Sequence, residues 1–302
     1  MPSFLRRLRQ GQIRTTARLL FFAEKLPGGS RLVRGLANWP AAAPFLNASL
    51  GYLRVFDNLQ EAQAAYRPYA PKGFYHPDYA KHYLKIYEFP RPSDYAALFH
   101  MRGLDFEGAK IFDVGGTVGN LFYLYDRYLH LPKNCIWQVF ELPPSVEQGP
   151  RLAASRGETR LCFTGKWEEA EGAELVIASG SLHYFDPPLS AMVARLKEKP
   201  AYILVNRSPL IEGPTKAGVQ DHPLYGAACV LYNRREAVGG FEAAGYELVD
   251  RWEAQERSLK IAGRPEFSAH FYCGFFLRLK NMHRQPGAGA DRHGRTDGEL
   301  RA

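Results

Sequence analysis

Nine consecutive residues, IFDVGGTVG at 111–119, bring a carboxylate and three glycines together. Asp113 sits near the end of an apolar run. Gly115, Gly116 and Gly119 clear side chains from the turn that follows, with Thr117 among them. A strand that breaks into such a turn and then enters a helix, here LFYLYDRYL, aims backbone N–H groups at a nucleotide ligand. A second carboxylate, Glu141, stands at the end of the next apolar run, IWQVFEL, 22 residues past Gly119. An acid about 20 residues beyond a glycine loop is placed to grip a ribose diol. The two acids and the glycines together predict a site for an adenosine-type cofactor. The bland alternative is a tight turn that binds nothing, because glycine is the default wherever φ must be positive.

Glycine spacing separates two cofactors. The dinucleotide fingerprint G-x-G-x-x-G, aligned on Gly116 and Gly119, leaves Val114 where its first glycine belongs. The S-adenosylmethionine pattern, an acid followed by G-x-G-x-G, falls on Asp113, Gly115, Thr117 and Gly119 and matches at three of four positions. The second fit is better.

The elements around this loop alternate. GAELVIASGSLHYF gives a buried strand breaking at Ser179 and Gly180, and AYILVNRS gives another breaking at Asn206. DPPLSAMVARLKEK between them has helical spacing and an Asp-Pro start. GGFEAAGYELVDRWEA and HFYCGFFLRLK read as a helix and two strands. Strands and helices in alternation, with nearly continuous apolar strands, predict an α/β fold whose mostly parallel sheet is covered on both faces. The last two strands, joined by a loop, predict one antiparallel strand at or near the edge.

The chain resembles a class I S-adenosylmethionine-dependent methyltransferase, a Rossmann-like seven-stranded sheet with its last strand antiparallel. DVGGTVGN, ASGSLHYFDPP and the upstream RVFDNLQEAQAAY are similar to a small bacterial family of methyltransferases whose substrate is unassigned, and the likeness covers roughly residues 50 to 280. The resemblance implies that Asp113 orients the methionine amino group, directly or through water. Gly115, Gly116, Thr117 and Gly119 would let the backbone approach the cofactor, Glu141 would bind the ribose hydroxyls, and Leu142 would cover an adenine face. Ser179, Ser181, His183 and Tyr184 follow the fourth strand, where relatives meet cofactor and substrate. His183 is the candidate general base, since its unperturbed pKa lies near neutrality, against the plainer reading of a hydrogen-bonded structural histidine. Many relatives hold the adenine amino group with an Asp after the third strand. Here that region reads FTGKWEEA, and Trp167 beside Lys166 either stacks on adenine or covers the sheet edge.

Methyl transfer from a sulfonium is an in-line displacement by an activated reagent. The protein mainly aligns and desolvates, adding a base only where the acceptor must lose a proton. No metal is required. The expected acceptor is a small molecule or a glycan. Asn206 and Arg207 are candidates to anchor its carboxylate or phosphate, and the insertion SPLIEGPTKAGVQDHPLYGAACVLYNRRE, with His222, Tyr225 and Tyr232, is a candidate pocket wall. Tyr75, His76 and Tyr79 offer aromatic lining from an upstream cap. Two rivals stay open. A NAD-dependent oxidoreductase or epimerase would need a hydride-site arrangement such as Tyr-x-x-x-Lys after the cofactor half, which does not appear. An inactive methyltransferase-like scaffold would be explained by the incomplete glycine pattern.

Composition sets the frame. A chain of 302 residues, 46% hydrophobic, can bury a full core. The expected divisions are a basic amphipathic arm at 1–50, a helical cap at 51–105, the Rossmann-like domain at 106–280 and a disordered tail at 281–302. Helices are expected around DNLQEAQAAY and PSDYAALFHMRG, the latter with Ser93 as cap. Cys135, Cys162, Cys229 and Cys273 show no C-x-x-C spacing and predict buried, reduced thiols in a cytoplasmic protein. No run approaches the ~18 apolar residues of a membrane span, and the start is not a convincing signal peptide. Residues 1–54 hold nine Lys/Arg against one acid, while the rest holds 30 of each, so the whole net charge of +8 sits on the arm. Its interleaved Arg and apolar residues predict an amphipathic helix. Either that helix meets an anionic membrane through residues 1–35 or it packs on its own domain. Nucleic acid is not the expected partner, since no recognised binding module appears.

Overall fold

The computed structural model describes residues 15, 18–37, 39, 52–66, 88–222, 225–261 and 263–280. The 281–302 tail, Tyr75, His76 and Tyr79 lie outside them, as do the side chains of His222 and Tyr225. The chain runs through α1 (Gly29–Ala37), β1 (Tyr52–Phe56), α2 (Leu59–Tyr66), α3 (Pro92–Arg102), β2 (Lys110–Val114), α4 (Asn120–Leu129), β3 (Ile136–Phe140) and α5 (Pro143–Ser155). There follow β4 (Leu161–Thr164), β5 (Leu175–Ser179), α6 (Leu189–Ala194), β6 (Tyr202–Ser208), β7 (Lys216–His222), β8 (Tyr225–Leu231), α7 (Arg234–Ala243), β9 (Tyr246–Ala254) and β10 (Tyr272–Leu279).

The central sheet has the order β4-β3-β2-β5-β6-β10-β9. The first five are parallel, while β10 runs antiparallel to both β6 and β9. Successive strand side chains point to opposite faces, so two cores form. Phe112, Val114, Val176, Val205 and Phe275 meet Leu189 and Val193 of α6 and Phe241 of α7 on one face. Ile111, Trp137, Ile177, Leu204 and Phe276 meet Met101 of α3 and Leu121, Phe122 and Tyr125 of α4 on the other. Both faces are apolar because both are covered, which explains the unbroken hydrophobic runs of β2 and β5.

Three local expectations need correcting. The segment from residue 51 does not open as a helix. Its YLRVF, rich in β-branched and aromatic residues, is β1, which pairs with β7 of the distant insertion to make a three-stranded antiparallel sheet β1-β7-β8. Ala62 of α2 packs on Ala217 and Val219 of that sheet. The cap of α3 is Arg91 rather than Ser93: the Asp94 carboxylate accepts the Arg91 N–H at 2.8 Å, while Ser93 Oγ donates to Glu256 at 2.5 Å. Cys162 is exposed on the edge strand β4, unlike the other three cysteines, which are buried; all four are free thiols.

The small sheet is tied to the loop after β5. Tyr184 Oη donates to Gln220 Oε1 and Tyr232 Oη donates to the Phe185 carbonyl, each at 2.6 Å. The insertion thus stands over the carboxyl ends of the parallel strands, where an α/β sheet forms its crevice.

Candidate functional site

β2 carries Asp113 to the carboxyl edge of the sheet, opposite Val139 of β3 and Ile177 of β5. The carboxylate turns under the glycine loop. Trp137 Nε1 donates to Asp113 Oδ2 at 3.0 Å, and a Cβ on Gly116 would lie 2.3 Å from that oxygen. Gly116 is therefore required by the acid beneath it. Gly115 and Gly119 have φ of 75° and 82°, and Thr117 joins them in the left-handed region at 56°. Thr117 thus occupies a position where glycine is normally favoured, which is where the S-adenosylmethionine pattern places its middle glycine.

Glu141 reaches back over this turn from the end of β3. Its Oε1 accepts the Thr117 N–H at 3.2 Å, and its Oε2 accepts the Leu142 N–H at 2.6 Å. Burial raises its pKa against these two N–H donors. Burial also pushes Asp113 up to about 7, against the Trp137 hydrogen bond. The Glu141 charge adds to that rise and the Arg207 charge opposes it. The two acids therefore flank one glycine turn and sense each other electrostatically.

This placement has a stability consequence. The folded protein holds the Asp113 proton up to about pH 7, whereas the unfolded chain releases it near 3.8. Folding stability from this group is therefore lost as pH rises from about 4 to 7 and stays low above that. Asp113→Asn removes the buried charge and is expected to stabilise the protein at pH 8 by roughly 2 kcal/mol, with little gain at pH 4. Urea denaturation at the two pH values measures this, and an equal effect at both would refute the account.

Ser179 ends β5 and is engaged by Arg207, whose Nη2 donates to Ser179 Oγ at 2.7 Å. Arg207 is only 2% exposed, lies near the end of β6 and has φ of 54°. Its Nη1 donates to Asp94 Oδ1 at 2.5 Å. The same oxygen accepts Tyr125 Oη at 2.7 Å, and Asn206, whose Oδ1 accepts Trp252 Nε1, lies beside it at 3.5 Å. Arg207 and Asn206 thus belong to a buried network and are not open anchors for an acceptor. Sequence reasoning missed Asp94 altogether. Its only signal was the acid three residues after Arg91 in RPSD, a helix-start pattern that says nothing about a partner 113 residues away.

His183 lies in a short 3-10 turn, Leu182–Tyr184, buried, with its ring 4.1 Å from that of Tyr184. Burial lowers its pKa to about 3, and Nδ1 has no hydrogen-bond partner among the described residues. The ring is neutral near pH 7, so a charged imidazolium would need an anion beside it. Ser181 is also buried, its Oγ bonded to the Val114 carbonyl. Trp167 packs edge-on against Phe112 and Phe140, with Nε1 donating to the Met192 carbonyl at 3.1 Å, so its ring covers the sheet. Leu142 caps α5 and is partly exposed next to Glu141. Among the described residues no group of three metal-ligating side chains occurs.

No protein-family model matches the chain, and no curated protein matches it. Solved structures match at low similarity. The N-terminal domain of EvdMO1, crystallised in the presence of SAH and D-fucose, is 15% identical over 64% of this chain and 84% of its own, with a TM-score of 0.43. The CcbJ methyltransferase of Streptomyces caelestis is 14% identical over 65% and 95%, TM-score 0.43. A SAM-dependent methyltransferase of Aquifex aeolicus is 18% identical over 66% and 98%, TM-score 0.41. Matches at this level assign neither residue roles nor substrate. Strand order and direction stand apart from them: seven strands, with antiparallel β10 seated between β6 and β9, form the sheet of the class I S-adenosylmethionine-dependent methyltransferase fold.

Proposed function

We propose that this chain transfers a methyl group from S-adenosylmethionine to a small-molecule or glycan-type acceptor. The observation that carries the reading is Glu141 folded onto the Thr117 N–H at the carboxyl edge of β2 and β3, with Asp113 under the same turn. Each Glu141 oxygen uses one N–H donor. A carboxylate has about four acceptor positions, so the pair retains capacity for two ribose hydroxyls. Asp113 is a buried acid suited to a cationic amino group, which would favour its ionised form. Leu142, beside Glu141, offers an apolar surface for a base, and Ser179 closes the β5 side. The cofactor supplies an activated methyl group. The chain binds, orients and keeps water away.

The acceptor side belongs to the small sheet and the 182–184 turn. His183 is the candidate to take a proton from an acceptor hydroxyl. Its low basicity limits that role to a moment when negative charge develops beside it. The dinucleotide alternative is less well supported, because the Rossmann sheet that binds NAD has the order 3-2-1-4-5-6 without an inserted antiparallel strand, and Val114 stands at its first glycine position.

Calorimetry with S-adenosylmethionine, S-adenosylhomocysteine and NAD tests the proposal. The two sulfur compounds are expected to bind and NAD is not; preference for NAD would overturn it. The affinity for S-adenosylmethionine should also rise as pH climbs through about 7, because the amino group binds the ionised form of Asp113. Asp113→Asn should flatten that profile.

A further inference from the structure

The N-terminal segment is docked on one side and bare on the other. Val33 of α1 is buried, Arg34 Nη2 donates to the Gly263 carbonyl at 3.0 Å, and Lys260 Nζ lies 5.6 Å from the centre of the Phe21 ring. The contact is close: a Cβ on Gly263 would fall 2.8 Å from the Ser30 carbonyl oxygen and 2.9 Å from the Arg34 nitrogen. The segment is therefore held against the 259–268 loop at a fixed place. Away from that contact, Leu19, Phe22, Leu26, Leu32 and Trp39 are each more than half exposed. Five large apolar side chains within 21 residues cost free energy in water, and such patches mark interaction surfaces. Arg18, Lys25 and Arg31 are exposed among them.

Charge decides the partner. Residues 1–54 carry nine bases and one acid, while the remainder of the chain is neutral by count. A polyanion such as nucleic acid would pair with the bases and leave the five apolar groups in water. A neutral apolar partner would leave the bases unused. One kind of surface satisfies both, with anionic headgroups outside and an acyl boundary beneath. We propose that the outward face of residues 18–39 seats the folded protein on an anionic lipid bilayer, the apolar side chains entering the headgroup–acyl boundary. Among the described residues no helix is long and apolar enough to cross a membrane, so the contact is peripheral. This surface does not depend on the methyl-transfer reading.

The test is flotation of the full-length chain with vesicles of phosphatidylcholine alone and of phosphatidylcholine mixed with phosphatidylglycerol. Binding is expected only with the mixed vesicles, and added salt should weaken it. Arg18→Gln/Lys25→Gln/Arg31→Gln should weaken it about a hundredfold. Leu19→Ser/Phe22→Ser/Leu26→Ser should weaken it at least about tenfold. All six positions are exposed, so both variants should melt like the parent and retain its affinity for S-adenosylmethionine. Absence of binding to the mixed vesicles overturns the proposal. So does vesicle binding that survives the serine substitutions, or duplex DNA bound as tightly as the vesicles by parent and serine variant alike, since each would identify a purely electrostatic polyanion site.

Discussion

Asp94→Ala is expected to lower folding stability by about 3–5 kcal/mol, the largest effect of any single substitution considered for this chain. In wild type the Asp94 carboxylate is wholly buried and faces the Arg207 guanidinium at 2.5 Å. Taking two charges out of water costs several kcal/mol each, which their mutual attraction offsets while both are present. Alanine leaves the guanidinium buried without its counter-charge. The change also strips Tyr125 Oη of its acceptor at 2.7 Å and removes the carboxylate that accepts the Arg91 N–H at the start of α3. For a chain of this length the loss corresponds to a drop in Tm of roughly 10 °C.

Asp94→Asn keeps the shape and loses the charge, so it should fall between wild type and alanine. Adding Arg207→Met to Asp94→Ala should cost less than the sum of the single effects, because the buried cation that the first change exposes is gone. Single variants within about 0.5 kcal/mol of wild type would show the pair to be energetically idle. The network also carries consequences for the site. Arg207 holds Ser179 at the end of β5 and lowers the Asp113 pKa. The helix before the sheet is thereby wired to the crevice between the strand ends.

How much of this is legible in the sequence depends on the range of each interaction. β2, the glycine turn, α4 and Glu141 are readable because continuous apolar strands, a glycine-rich break and a fixed strand-to-strand spacing are written within some 30 consecutive residues. The antiparallel last strand was readable because β9 and β10 are joined by a loop and not by a crossover helix. The pairing of β1 with β7 was not, since Val55 meets Gly218 across 163 residues and nothing local marks the partner. The Asp94–Arg207 pair was hidden for the same reason: an acid near a helix start already has a sufficient local explanation. Trp167 was ambiguous because aromatic rings serve packing and ligand stacking alike. Its contacts with Phe112 and Phe140 show the packing role.

Glu141→Ala is expected to weaken S-adenosylmethionine binding about a hundredfold, or ~2.7 kcal/mol, if its two oxygens hold the ribose. That figure is what two charge-assisted hydrogen bonds contribute after competition with water. The fold should survive, because the side chain is only partly buried and both of its present partners are backbone N–H groups. Glu141→Gln separates binding from bracing. Its carbonyl oxygen can still accept the Thr117 N–H, but its amide nitrogen cannot accept a hydroxyl or the Leu142 N–H. It should therefore preserve the turn and still lose about tenfold in affinity. If Glu141 only braced the loop, alanine would lower Tm and glutamine would restore it, while calorimetric affinity followed stability in both. A Glu141→Ala protein that binds as tightly as wild type would sever the carboxylate from the cofactor, and with it the observation on which methyl transfer rests.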